Sequence, residues 1–246
     1  EFVVGIGGVQ EYAISDGSAL TKADVGLAPL PAYLNSLGIA GLTAYCGLIE
    51  VGSPKAGEAV VVSGAAGSVG AHVGQIAKIK GCRAVGIAGG ARKCAFLIDE
   101  LGFDAAIDYQ NEDLNAGLAR SCPDGIDVFF DNVGGECLDA ALARINFHAR
   151  VVICGAISQY NNTTAIEGPT NYLNLLIRSA RLEGFIYFNW RSQWPAMVAE
   201  LAAWLNAGKL NCPDDVVEGG VAAFPDTLLR LFSGDNFGKL MIKVAA

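Results

Sequence analysis

The chain has 246 residues, 52% of them hydrophobic and 17% charged, with 31 glycines: enough apolar material for one large domain or two small ones, and too regular for disorder. A formal net charge of −8 speaks against nucleic acid as a partner, because phosphate backbones need positive surface. Seven cysteines without any C-x-x-C spacing, and only two histidines, His72 and His148, speak against a disulfide framework or a metal site and for a reducing, cytoplasmic compartment.

In chain order, "EFVVGIGGVQEYA" reads as a strand already in progress, so a preceding segment is expected. Residues 1–30 have the Pro and Gly punctuation of an irregular β element. "AVVVSG" (59–64) is a continuous β-branched run and predicts a strand buried on both faces; Val69, Val73, Ile76 and Ala77 then follow at helical spacing up to Gly81. Residues 59–77 lack charge, but four glycines with His72 and Gln75 make a strand, turn and helix a better reading than a membrane span. "RAVGIA", a helix over 92–101, "AAID" (105–108), a helix over 111–121, "IDVFFD" (126–131), a helix from 136 and "ARVVICG" (149–155) continue the alternation. "LEGFIYF" (182–188) adds a strand, 194–210 a helix, and "GKLMIKV" (238–244) a strand within a second β-rich end. The expected fold is α/β, a doubly wound parallel sheet of Rossmann type over 34–208, flanked by pieces of another domain at 1–33 and 209–246.

"VVVSGAAGSVGAHVGQIAK" places Ala65, Gly67 and Gly70 at the positions of a G-x-G-x-x-G turn, where backbone N–H groups meet a pyrophosphate at a helix N-terminus. A dinucleotide site for NAD carries an acid about twenty residues further on. Here Ala88, Gly89, Gly90 and Ala91 precede Arg92 and Lys93, and a cation there suits a 2′-phosphate, so NADPH is the expected cofactor. "AGSVG" also resembles a nucleophile elbow, with Ser68 as nucleophile, His148 as base and Asp127 or Asp131 as its orienter, a weaker reading. "GDNFGKL" falls short of a phosphate-binding P-loop, and no Tyr-x-x-x-Lys pair exists.

"LGIAGLTAYCGLIEVG", "GAAGSVGAHVGQIAKIKGC", "LGFDAAIDY", "FFDNVGGE", "CGAISQYN", "LEGFIYFNW" and "GDNFGKLMIKV" together resemble the zinc-independent medium-chain reductases, in the branch of the prostaglandin, alkenal and curcumin reductases. The resemblance covers nearly the whole chain. It implies remnants of a GroES-like β domain at both ends, most of that barrel falling before Glu1. Gly67, Ser68, Val69 and Gly70 would hold the pyrophosphate, with Gly89, Lys93 and Tyr109 on the adenosine phosphate side and Asn132 along the cofactor. Cys154, Gly155, Ala156, Ile157, Ser158 and Tyr160 would surround the nicotinamide ribose, Phe185, Ile186 and Tyr187 would lie next to the ring, and Asn236 would approach from the C-terminal segment. Ile39-Ala40 stands where the family usually has Met-Pro, a departure on the substrate side.

The implied reaction is NADPH-dependent reduction of the carbon–carbon double bond of an α,β-unsaturated ketone or aldehyde, with Tyr160 and then Tyr45 as candidates to donate to the enolate oxygen. The alternatives are a quinone reductase on the same cofactor fold and a non-catalytic NADPH-binding protein. The resemblance also implies a homodimer through the sheet edge near "GFIYFNW".

Overall fold

A computed structural model describes residues 1–244. A six-stranded parallel sheet is built from β3 (Ala59–Ser63), β4 (Arg83–Ala88), β5 (Ala105–Asp108), β6 (Ile126–Asp131), β7 (Ile145–Ile153) and β8 (Arg181–Gly184), with β1 (Phe2–Val4) and β2 (Thr21–Ala23) paired apart from it. The sheet order is β5-β4-β3-β6-β7-β8, so the chain winds outward from β3 in one direction and then from β6 in the other. This is the doubly wound order expected, and its reversal opens a crevice at the carboxyl ends of β3 and β6.

The strands form because they are apolar on both faces. Val60 and Val62 enter one buried cluster with Val128, Phe130 and Val152, while Val61 enters the other with Phe129 and Val151. That two-residue alternation puts one core on each face. The helices α1 (Ile39–Tyr45), α2 (Ser68–Ile79), α3 (Ala91–Asp99), α4 (Leu114–Ser121), α5 (Gly135–Leu142), α6 (Leu173–Ile177) and α7 (Trp194–Asn206) supply the covering layers. At α4, Asp113 takes the N-cap position and accepts from the Ala116 N–H at 2.8 Å, so the helix starts later than the composition alone suggests.

The ends differ from expectation in one respect. The C-terminal piece pairs β9 (Asp214–Glu218) with β10 (Lys239–Lys243) in parallel, and parallel strands need a crossover. That crossover is a ten-residue helix, α8 (Phe224–Ser233), where short irregular strands were expected. The strand expected over 182–188 stops at Gly184. Its aromatic tail leaves the sheet as a 3₁₀ turn over Tyr187–Gln193, because Tyr187 stacks on Trp194 with ring centroids 5.1 Å apart.

Candidate functional site

The glycine turn follows β3 directly. Gly64 adopts φ 60°, and Gly67 is the N-cap of α2 without any capping side chain. A Cβ on Gly70 would lie 2.8 Å from the Ala65 Cα, so only glycine lets the first turn of α2 sit this close to the end of β3. Among the described residues, no carbonyl or side chain accepts from the N–H groups of Val69 or Gly70, while the Ser68 N–H faces the Gly238 carbonyl across a parallel bridge between Gly67 and Gly238. Two unpaired donors at the positive end of a twelve-residue helix form an anion cradle, and they fit a dinucleotide pyrophosphate. The Ser68 hydroxyl is committed elsewhere, since it donates to Asn35 Oδ1 at 3.0 Å.

Beside this turn, Gly90 sits at φ 86° and its N–H donates to Asp108 Oδ1 at 2.7 Å. Asp108 was not singled out from sequence; the Asn111 amide foremost, then the Gly90 and Gln110 N–H groups, holds its carboxyl below the usual range. Gly89 lies against the half-exposed Tyr109, whose Cε1 would be 3.0 Å from an added Cβ, so these two expected residues are neighbours. Lys93 stands in the first turn of α3, but its Nζ donates to the Gly234 carbonyl at 2.5 Å. Burial pushes its pKa down, opposed by Asp235. Arg92 lies over the Phe237 ring at 4.8 Å. The Gly238 N–H donates to the Ala66 carbonyl at 3.0 Å, which seats Asn236 beside the glycine turn with its amide on the Gly238 carbonyl at 3.3 Å.

Across the crevice, Asp131 ends β6 fully buried. It accepts from the Ser63 hydroxyl at 2.7 Å and from the Val133 and Gly134 N–H groups at 3.0 Å each. Burial pushes its carboxyl above the ordinary range against those donors. The Asn132 amide donates to the Ser63 carbonyl at 2.8 Å, closing the crevice floor between β3 and β6. The loop after β7 is stitched onto the same segment: the Cys154 and Gly155 N–H groups donate to the Asp131 carbonyl, and those of Ile157 and Ser158 to Asn132 and Val133. Burial raises the Cys154 thiol to about 12, so it is packing and not a nucleophile. A cleft of about 1060 Å³ runs from Tyr109 past Val133 and Gly134 to Gly155, Ala156 and Ser158.

The two tyrosine candidates separate. Tyr160 is 67% exposed, and its oxygen accepts from the Ala156 N–H at 3.1 Å, which leaves its own O–H free among the described residues. Tyr45 is a correction. It is buried against Trp204, and its hydroxyl donates to Glu200 at 2.5 Å. Glu200 also pairs at 3.2 Å with Lys80, just past the far end of α2, about 17 Å of helix from the glycine turn. Burial and Glu200 raise the Tyr45 pKa far above the ordinary phenol. Phe185 packs edge-on against Phe130 at 6.2 Å and Tyr187 against Trp194, while Ile186 between them is exposed.

The nucleophile-elbow reading also fails. Ser68 is committed to Asn35, whereas His148 opens the far part of β7 with its N–H on the Arg178 carbonyl and its ring against Phe147. Among the described residues, no three His, Cys, Asp or Glu side chains converge as a metal-ligand group.

With this geometry in place, comparison with known proteins assigns the family. A family profile described as "Zinc-binding dehydrogenase" matches residues 68–203. The chain is 41% identical over 252 residues to the "NADPH-dependent curcumin reductase" of Escherichia coli (strain K12), covering 100% of this chain and 72% of that protein. It is 42% identical over 247 residues to "2-alkenal reductase (NADP(+)-dependent)" of Nicotiana tabacum, covering 100% and 71%. The solved structure of CurA in complex with NADPH from Vibrio vulnificus superposes with a TM-score of 0.89 at 43% identity, over 96% of this chain and 72% of that one. The chain belongs to the zinc-binding dehydrogenase family, in its NADP-dependent reductase branch.

Proposed function

We propose that this protein reduces the carbon–carbon double bond of α,β-unsaturated ketones or aldehydes with NADPH. The observation that carries this reading is similarity, over the whole of this chain and about seven tenths of theirs, to the curcumin and 2-alkenal reductases. The geometry supports it: an unpaired N–H cradle after β3, and two glycines followed by two cations after β4, with the one carboxylate beside them, Asp108 from β5, taken up by the Gly90 and Gln110 N–H groups and the Asn111 amide. When bound, NADPH supplies the hydride. The first turn of α2, from Ser68 to Gly70 with its free Val69 and Gly70 N–H groups, would hold its pyrophosphate, and Lys93 and Arg92 its 2′-phosphate. The loop from Cys154 to Tyr160, fixed to Asp131, Asn132 and Val133, shapes the reacting end.

Hydride addition at the β-carbon puts negative charge on the carbonyl oxygen, which needs a donor. Tyr160 has one to give, since its oxygen is held by the Ala156 N–H and its proton is uncommitted. Tyr160→Phe is therefore expected to lower kcat/KM for enones about 10- to 100-fold, a larger effect than its effect on NADPH affinity. Equal rates for the two proteins would remove Tyr160 from the mechanism. Assayed with NADPH, the protein is expected to turn over 2-alkenals and enones; consumption of quinones alone, or of nothing despite NADPH binding, would favour one of the two alternatives.

The protein acts as a homodimer in a reducing, cytoplasmic compartment. All seven thiols are free, and no helix among the described residues is long and apolar enough to cross a membrane. β8 is an edge strand exposed at every residue, with Leu182, Ile186, Leu176 and Ile177 exposed around it. Such an edge invites pairing with a second copy. Sedimentation should give the dimer mass, and Leu182→Lys should shift it to the monomer; a monomeric parent chain would contradict the pairing.

A further inference from the structure

Asn35 is only 1% exposed, yet every hydrogen-bonding atom of its side chain is engaged. Its Oδ1 accepts from the Ser68 hydroxyl at 3.0 Å, and its Nδ2 donates to the Cys212 carbonyl at 3.2 Å and to Asp214 Oδ1 at 2.9 Å. Those partners lie 33, 177 and 179 residues away, so one buried amide joins the start of α2, the segment before α1 and the segment leading to β9. Its own carbonyl accepts from the Gly41 N–H at 3.0 Å, which fixes Asn35 to the head of α1.

The first turn of α2 needs such an anchor. Its N-cap is a glycine with no side chain to hold the helix start, and the consecutive N–H groups of Val69 and Gly70 there have no partner. Their direction follows from how the turn is seated. Ser68 is held by Asn35 at its hydroxyl, and at its carbonyl by His72, whose Nδ1 lies 2.6 Å away, and by the Cys212 thiol at 3.9 Å. The first of these joins the helix start, through one buried amide, to both the Cys212 carbonyl and Asp214.

We propose that Asn35, acting through Ser68, is the positioning residue that orients the first turn of α2 for the pyrophosphate of a dinucleotide, an inference that rests on the NADPH reading above. The test is the dissociation constant for two probes, NADPH and adenosine 2′-monophosphate, which lacks a pyrophosphate. Asn35→Ala raises the NADPH Kd about fivefold and leaves that of adenosine 2′-monophosphate unchanged. Ser68→Ala has a similar effect, and the double variant adds nothing further, as expected for residues acting as one unit. A loss that is equal for both probes, or strictly additive effects, would overturn the proposal. Should Asn35→Ala fail to fold, Asp214→Ala at the exposed rim removes one acceptor of the same amide and is expected to raise the NADPH Kd about twofold; unchanged affinity in both Asp214→Ala and Ser68→Ala would overturn it. A parent chain that does not bind NADPH would remove the cofactor reading, and this proposal with it.

Discussion

Replacing Lys93 by alanine weakens NADPH binding about 10- to 100-fold and leaves NADH binding unchanged. A 2′-phosphate carries close to two negative charges, and a charge-assisted bond to an ammonium contributes about 1.5–3 kcal/mol, more than an exposed ion pair does. Lys93 is placed for that because two glycines, Gly89 and Gly90, lead into α3 where an NAD-type site carries an acid. Its present partner, the Gly234 carbonyl, is neutral, so a phosphate competes for the ammonium with the stronger acceptor. Arg92 keeps some positive charge nearby in the variant, which sets the lower end of the range. Fluorescence titration with both nucleotides reads the effect, and an equal loss for NADH would mean that Lys93 matters only as the tie to the C-terminal segment.

His72 makes stability depend on pH over a defined window. It is fully buried, and burial lowers its pKa to about 4 from 6.5. The Ser68 carbonyl can only accept, so Nδ1 carries the proton and Nε2 accepts from the Ser36 hydroxyl at 2.8 Å; the neutral ring satisfies both bonds. Between those two pKa values the unfolded chain binds a proton that the folded chain refuses. Stability is therefore complete above pH 6.5 and is lost as pH falls toward 4, by about 3 kcal/mol from this residue. Urea unfolding of the parent and of His72→Gln at pH 7 and near pH 4 isolates the contribution as a difference. Parallel losses in the two proteins would show that His72 does not carry it.

The sheet was legible in the residues because its strands are buried on both faces: the Val60, Val61 and Val62 run, and the "IDVFFD" run ending at Asp131, say so without any partner in view. The glycine turn was legible too, since backbone approach permits few residue types. What escaped depends on contacts distant in sequence. Tyr45 reads as a free phenol until α7 brings Glu200 to it across 155 residues, and Lys93 reads as free until Gly234 arrives from 141 residues away. The strand expected through Tyr187 ends at Gly184 because a stacked tryptophan, Trp194, outweighs β propensity. Asp131 was noticed for the wrong chemistry: its buried carboxylate organises the loop across the crevice and has no histidine to orient. Asn35 gave no local signal, for its role consists wholly of bonds between remote segments.

The central claim is that hydride from NADPH reaches a carbon and leaves the carbonyl intact. The direct measurement uses NADPH deuterated at its transferable position, an α,β-unsaturated aldehyde, and mass spectrometry with NMR of the product. A saturated aldehyde carrying deuterium on the β-carbon is the predicted result. An allylic alcohol with deuterium on the former carbonyl carbon would contradict it, and would make this protein a carbonyl reductase on the same fold.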